Sequence, residues 1–212
     1  MLRILKPYLF KMEFDALIIG GGASGLQCAL VLGSAKNKPF AADKKIGIIM
    51  HQRTSHIQNA LFNNVLGLSP QTLGKDILLE GRQQLSFLYP AISQIENEKV
   101  ISIDNFNLGY KIVTNKGTYT STIVIIALNY SKPFTIKGLD HYIEPHKKAN
   151  PEKDRIQLKN KDFLIKKGLY CCGTIAGCRS QFAIAAGSGA AVATDVLTLW
   201  NGDKHVKIHD KI

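Results

Sequence analysis

Little in this sequence of 212 residues suggests a protein held together by disulfides or metal ions. It contains four cysteines, none of which form a Cys-x-x-Cys pair or a zinc-ligand spacing, and its six histidines show no metal-ligand spacing. Cysteines without a disulfide pattern are typical of proteins from a reducing compartment. We therefore expect a cytoplasmic protein without a bound metal.

The chain also lacks an uninterrupted apolar run of the kind that crosses a bilayer. Residues 16–35 carry no charge and have about the length of a membrane span, but five glycines interrupt them. We interpret this stretch as a buried strand, a glycine turn and a helix, and we expect no membrane association. No small-residue cleavage site follows the first residues, so we expect no signal peptide, and Met12 is a second candidate start.

Acidic residues are scarce, because 16 Asp and Glu stand against 27 Lys and Arg and give a formal net charge of +11. This excess is compatible with an anionic ligand or an acidic partner, and equally with a solvated basic surface. The apolar fraction of 45% in 212 residues is enough for a packed core.

The start of the chain predicts a βαβ unit. Residues 14–19 have the pattern of a buried strand, a glycine turn follows at 20–25, and apolar residues over 26–32 indicate a helix. A second apolar run at 46–50 comes after the distance expected for a parallel crossover.

The middle of the chain predicts one helix and then a β-meander. Apolar residues at helical spacing indicate a helix over 73–88, and three strand patterns follow at 100–103, 110–114 and 118–127. A turn signal separates the last two strands. The end of the third strand is apolar on both faces, so we expect it to return to the central sheet.

The last third begins with a basic segment and ends with a strand and a helix. Residues 132–167 hold ten Lys or Arg against five Asp or Glu, and three prolines break them, so we expect a surface connection. A buried strand at 169–172 and a long helix over 181–200 follow. We predict a single α/β domain over residues 1–212, with a parallel central sheet, helices on both faces and a small meander at about 100–127.

The glycine turn has the spacing of a dinucleotide fingerprint, Gly20-x-Gly22-x-x-Gly25, between a strand and a helix. In such a turn the first glycine reverses the chain, the second admits the pyrophosphate and the third lets the helix pack on the strand. Backbone N–H groups at the helix start, here around Ala23 and Ser24, bind the phosphates. We therefore predict a Rossmann-like nucleotide site.

The acidic residue that usually holds the adenosine ribose at the end of the second strand is missing. The strand is followed by His51 and Gln52 instead. Either side chain can contact the ribose as a neutral donor or acceptor, and an ordinary surface loop explains the two residues equally well.

Three separated blocks resemble the FAD domain of the thioredoxin reductase-like flavoproteins, which have two dinucleotide folds. The first is the fingerprint, the second runs from Asn64-Val65-Leu66-Gly67 into Glu80-Gly81-Arg82, and the third spans residues 168–189. The resemblance implies an FAD domain. It also implies that Gly173 and Thr174 lie at the ribityl chain and that Gln181 and Phe182, at the start of the last helix, lie at the pyrimidine end of the flavin.

Several departures limit what the resemblance implies. Thr174 stands where the family usually has Asp, and Ala127-Leu128-Asn129 replaces the usual Ala-Thr-Gly. Only one fingerprint is present, and residues 132–167 are too few for the family's second nucleotide domain, so we predict no separate NAD(P)H domain. The electrons would then come from a transiently bound nicotinamide, a protein or the substrate.

No catalytic residue can be named from the sequence, because the redox-active Cys-x-x-Cys of thioredoxin reductases is absent. Cys178 is one candidate, since Arg179 beside it would lower the thiol pKa, and a structural role is the alternative. Cys28, Cys171 and Cys172 are expected in the core. His51 and His56 either approach the cofactor or are simply exposed.

The resulting functional prediction is an oxidoreductase that transfers electrons through non-covalent FAD, with a small molecule or a protein as donor or acceptor. A homodimer is compatible with this prediction. The alternative is a non-catalytic flavin-binding accessory protein that docks on a protein or RNA through the basic residues 147–167. Basic residues are not interleaved with aromatics there, so we do not expect a nucleic acid partner.

Overall fold

The computed structural model describes residues 13–51 and 55–208. Met12 and Gln52, which the sequence analysis singled out, lie outside the described residues. The described residues form three α-helices, namely α1 (Ala23–Ser34), α2 (Gly74–Leu88) and α3 (Phe182–Trp200). Their strands are β1 (Phe14–Ile19), β2 (Ile46–Met50), β3 (Leu61–Phe62), β4 (Thr72–Leu73), β5 (Ser93–Glu96), β6 (Val100–Phe106), β7 (Gly109–Thr114), β8 (Thr118–Ile126), β9 (Ile143–Pro145), β10 (Ile156–Leu158), β11 (Leu164–Lys166) and β12 (Leu169–Cys171).

The central sheet has the strand order β11-β12-β8-β1-β2-β5, and its neighbours are parallel except for the edge strand β11, which runs antiparallel to β12. The strand β1 lies in the middle, where Leu17 is paired with Gly47 of β2 on one side and with Val124 of β8 on the other. The strands β6 and β7 form an antiparallel meander with the first half of β8. The predicted α/β class, the βαβ unit and the return of β8 to the central sheet are confirmed.

The strand β5 was missed by the sequence analysis. It extends the sheet in parallel beside β2, so β2, α2 and β5 form a second βαβ unit. Its sequence Ser-Gln-Ile-Glu contains a single apolar residue and no alternation. An edge strand with this composition leaves no hydrophobic pattern to recognise.

The three α-helices pack on one face of the sheet, which corrects the expected arrangement of helices on both faces. Buried residues of all three helices belong to one core cluster with Ile18, Ile48 and Ile125 of the sheet. The opposite face of the sheet carries a second cluster, in which Leu17 and Val124 contact the meander and β10. Strand patterns that are apolar on both faces predict two covered faces but not which elements cover them.

Residues 132–167 are more than the expected surface connection. Ile136, Leu139, Ile156 and Leu158 are almost completely buried in the second core cluster, and β9 pairs with β10. Each of these apolar residues has a charged neighbour in the sequence, which explains why composition alone concealed the core residues. The predicted absence of a separate NAD(P)H domain stays a prediction.

The helix α3 matches the predicted span, with Gln181 as its N-cap residue. By length and composition alone it is apolar enough to cross a membrane, and it is the single such helix among the described residues. Its buried side chains, among them Val192, Ala193, Val196 and Leu197, pack in the core cluster that also contains α1.

Candidate functional site

The carboxyl ends of the parallel strands border a cleft of about 520 Å³. In open α/β sheets, ligands bind at the carboxyl ends of the strands, at the point where the strand order reverses. Here β1 has β2 on one side and β8 on the other. The cleft extends from Met50 and His51 after β2, past the glycine turn after β1, to Gly173 and Thr174 after β12. Gln181 and Phe182 at the start of α3 line it as well.

The glycine turn has the shape that its spacing predicts. Gly20 has a φ of +119°, a conformation that favours glycine, and a Cβ atom there would overlap the carbonyl oxygen of Ala127. A Cβ atom at Gly25 would overlap the carbonyl oxygen of Gly20, so α1 and β1 approach each other too closely for any side chain. Gly25 therefore shapes the turn without lining the cleft.

Gly22 is different because it opens onto the cleft. The nearest atom to a Cβ atom built there is Ser55 Oγ at 3.4 Å, and its φ of −83° suits any residue. Gly22 is also the N-cap of α1, and no side chain caps this helix. The first N–H groups of a helix have no partner within the helix, so those near Ala23 and Ser24 remain available to an anion.

The first turn of α1 packs against the middle of α3. A Cβ atom at Gly189 of α3 would overlap the carbonyl oxygen of Ser24, so the two helix backbones are almost in contact. The Gly173 N–H donates to Ser188 Oγ at 2.8 Å, and that hydroxyl donates to Ala185 O at 2.7 Å. These bonds attach the end of β12 to α3 and place both helix starts at one cleft.

The three predicted residues at this end of the cleft have different surroundings. Thr174 is half-buried, and its hydroxyl has no hydrogen-bond partner within the described parts of the chain. The side-chain oxygen of Gln181 accepts the Ile184 N–H at 3.2 Å, so it is already used as a helix cap. The ring of Phe182 packs on Phe62 of β3, with 5.2 Å between the ring centroids.

A carboxylate that sequence reasoning missed lies at the other end of the cleft. Glu98 lines it just after β5, beside the end of β2 where the acidic residue of the fingerprint was lacking. Its two oxygens accept the hydroxyls of Tyr119 at 3.0 Å and Thr114 at 2.7 Å. Glu98 could not be recognised in the sequence, because its place in the cleft depends on β5, and β5 was not predicted. His51 lines the same end and is exposed.

Burial disfavours the thiolate form of all four cysteines. Burial raises the pKa of the half-buried Cys178 thiol, and a hydrogen bond to Ser188 and the charge of Lys148 only partly oppose this effect. The expected lowering of this pKa by Arg179 is therefore wrong, and Cys178 is not among the described residues that line the cleft. Cys28, Cys171 and Cys172 are fully buried, as predicted, and burial raises the pKa of Cys172 to about 12.

A cluster of rings and cations borders the cleft beside the segment after β8. The Tyr130 ring contacts His56 and His146 edge to face, with centroid distances of 5.9 and 5.3 Å. The guanidinium carbon of Arg155 lies 5.0 Å from the same ring centroid. His56 lines the cleft, and partial burial together with the Arg155 charge lowers the pKa of its imidazole. Of this cluster, only His56 was predicted from the sequence.

Comparisons with solved structures identify the fold. A thioredoxin reductase from Gloeobacter violaceus is similar over 96% of this chain and 99% of that chain, with a TM-score of 0.71 and 13% identity. An oxidoreductase from Agrobacterium tumefaciens is similar over 91% of this chain and 100% of that chain, with a TM-score of 0.67 and 15% identity.

A ferredoxin-flavin thioredoxin reductase from Clostridium acetobutylicum has a TM-score of 0.65 and 17% identity, over 90% of this chain and 98% of that chain. No protein-family model and no curated protein matches the sequence. The chain thus has the fold of the thioredoxin reductases, as the sequence resemblance predicted.

Proposed function

We propose that this chain is an oxidoreductase that binds FAD without a covalent bond in the cleft described above. The observation that carries the proposal is the convergence of two helix starts on one elongated cleft. An FAD molecule has two groups that such helix starts stabilise, the pyrophosphate and the ring end that becomes negative on reduction. Structures of the same fold include thioredoxin reductases and a ferredoxin-flavin thioredoxin reductase, which supports a flavin.

The residues of the cleft fit such a ligand. At Gly22 the space that a side chain would occupy is open, and α1 begins at this residue with no side-chain cap. We assign the pyrophosphate to Gly20, Gly22, Ala23 and Ser24, with Gly25 allowing the close approach of α1 to β1. We assign the ribityl hydroxyls to Thr174, whose own hydroxyl has no partner among the described residues.

The adenosine end of the ligand would lie between the ends of β2 and β5. His51 and Glu98 line the cleft there. Because both oxygens of Glu98 already accept hydroxyl groups, a further donor from the ribose would share one of them. Gln52 lies outside the described residues, and its proposed ribose contact rests on the sequence alone.

The bound flavin supplies the electron-transfer chemistry, while the protein positions it and sets its electrostatic surroundings. The start of α3 directs N–H groups toward the pyrimidine end, which favours a negatively charged reduced ring. Phe182 and Phe62 form an apolar wall beside that end and exclude water. We propose a small molecule or a protein as electron donor and acceptor.

The test is the visible absorption spectrum of the purified protein, followed by titration of the flavin-free protein with FAD. We expect a yellow protein that releases its FAD on denaturation and takes up one equivalent again. A colourless protein that binds no FAD would overturn the proposal. A yellow protein whose flavin exchanges electrons with no donor or acceptor would instead support the non-catalytic accessory function.

A further inference from the structure

Arg155 carries a charge that no carboxylate balances within the described residues. Two neighbouring acids are already paired, since Asp154 binds Lys132 at 2.7 Å and Glu144 binds Lys147 at 2.8 Å. Arg155 donates from Nη1 to Ser131 Oγ at 2.6 Å, and its buried Nε has no partner. A guanidinium stays charged at any physiological pH and favours bidentate acceptors, so this cation lacks its preferred kind of partner.

The guanidinium is held in one orientation by the rings around it. Arg155 stacks on Tyr130, and Tyr130 is in contact with His56 on one side and His146 on the other. His146 is almost completely buried, and its Nδ1 accepts the Lys148 N–H at 3.1 Å. Its Nε2 therefore carries the hydrogen and donates to Cys178 O at 3.3 Å. A fixed cation loses little conformational entropy when it binds a ligand.

This cation lies directly behind the wall of the cleft. Ser131, which receives its hydrogen bond, lines the cleft, and so do His56, Ser55 and Asn129. The corner therefore combines one fixed positive charge with a hydroxyl and an imidazole that face the ligand space. A small neutral ligand would leave the guanidinium without a counter-charge, whereas an anion would pair with it.

We propose that the corner formed by Ser131, Arg155 and His56 binds the anionic group of the small molecule that exchanges electrons with the flavin. The group is a carboxylate or a phosphate, because the guanidinium behind the wall would balance its charge and the Ser131 hydroxyl, which accepts from Arg155, would donate to one of its oxygens. This proposal rests on the proposed function, since it names the substrate class of the same cleft. It makes Arg155 a specificity-determining residue for acidic substrates.

The experiment uses the full-length protein as purified and follows the His56 imidazole by NMR during pH titration. The His56 signal is assigned with a His56→Gln variant. Inorganic phosphate and acetate are added in separate arms at constant ionic strength, so that the two sources of the anion are distinguished. An anion bound beside His56 stabilises the protonated imidazole, so we expect the pKa of His56 to rise in at least one arm.

The matched variants are Arg155→Gln and Lys153→Gln, each of which removes one positive charge from the same short segment. Lys153 is exposed and makes no ion pair within the described parts of the chain. Loss of a charged hydrogen-bond donor weakens anion binding by roughly tenfold or more. We expect this loss for Arg155→Gln and less than a twofold change for Lys153→Gln.

Equal anion affinities in the two variants, or no response of His56 in either arm, would overturn the proposal. Loss of FAD from Arg155→Gln would also overturn it, because Arg155 would then belong to the FAD site. The absorption spectrum of the same samples separates this result from the proposed function. A colourless protein that still binds the anion at Arg155 would refute the flavin proposal and leave the anion subsite supported.

Discussion

The helices α1 and α3 both begin at the same cleft, yet their first turns are built differently. The helix α1 starts at Gly22 with no side-chain cap, whereas α3 starts at Gln181, whose side chain accepts the Ile184 N–H. A side-chain cap stabilises a helix by about 1 kcal/mol. At α1 the chain forgoes this contribution and keeps the space in front of the helix open, which is the arrangement expected where a ligand replaces the cap.

The largest effect is expected from a pair of substitutions in the uncapped turn. Gly25→Val places a side chain against the Gly20 carbonyl oxygen and should destabilise the fold by about 1–3 kcal/mol or more. Gly22→Val meets no backbone atom and should cost less than about 1 kcal/mol, but it fills the space assigned to the pyrophosphate. We expect both variants to lose FAD, measured by absorbance, while only Gly25→Val shows a large loss of stability in urea unfolding.

The pair also tests the interpretation of the turn. If Gly22→Val keeps a full complement of FAD, the fingerprint is only a structural turn and the cleft binds its ligand elsewhere. If both variants unfold equally easily, the open space at Gly22 does not exist in solution.

The second half of the chain contains one part that was predicted well from the sequence and one part that was not. The strand β12 and the helix α3 were predicted almost to the residue, because β12 is a continuous apolar run that ends at a glycine and α3 is a long run of apolar and small residues followed by Asn201-Gly202. Residues 132–167 were not, because Ile156 and Leu158 stand singly, one beside Arg155 and the other beside Lys159, in a strand of three residues. Their burial depends on long-range packing in the second core cluster, which no local pattern contains.

The difference between continuous motifs and long-range contacts also explains which parts of the cleft were predicted and which were missed. The glycine turn and the block around Gly173 are continuous motifs, and both line the cleft. Glu98 and Arg155 stand alone in the sequence, and only the sheet order brings Glu98 to the cleft and the β9–β10 pairing brings Arg155 behind its wall. Side chains supplied singly by distant elements cannot be recognised from spacing.

A smaller effect on FAD binding is expected from substitutions at Thr174. A neutral hydroxyl contributes about 0.5–1.5 kcal/mol through one hydrogen bond, so Thr174→Val should weaken FAD binding by a few-fold. Thr174→Asp restores an acceptor with a charge and should bind FAD as tightly or more tightly. Its negative charge should also disfavour the anionic reduced flavin and lower the reduction potential.

These two variants are compared with the parent by FAD titration and by a potential measurement on each. Valine keeps the β-branched shape of threonine and lacks its hydroxyl. A change in FAD affinity therefore measures the contribution of the hydroxyl. Unchanged FAD binding by Thr174→Val would mean that this residue does not face the cofactor.

The smallest effect on FAD is expected from the capped helix start. Gln181→Ala removes the acceptor of the Ile184 N–H and should lower the free energy of unfolding by about 1 kcal/mol, or the Tm by about 2–4 °C for a chain of this size. Gln181→Ser is the matched control, since serine is a favoured N-cap residue and should retain the stability. Because the Gln181 oxygen already serves the helix, the FAD affinity of both variants should stay within about twofold of the parent. A tenfold loss of FAD affinity in both variants, with stability unchanged, would instead place the Gln181 side chain against the flavin and remove the difference between the two helix starts.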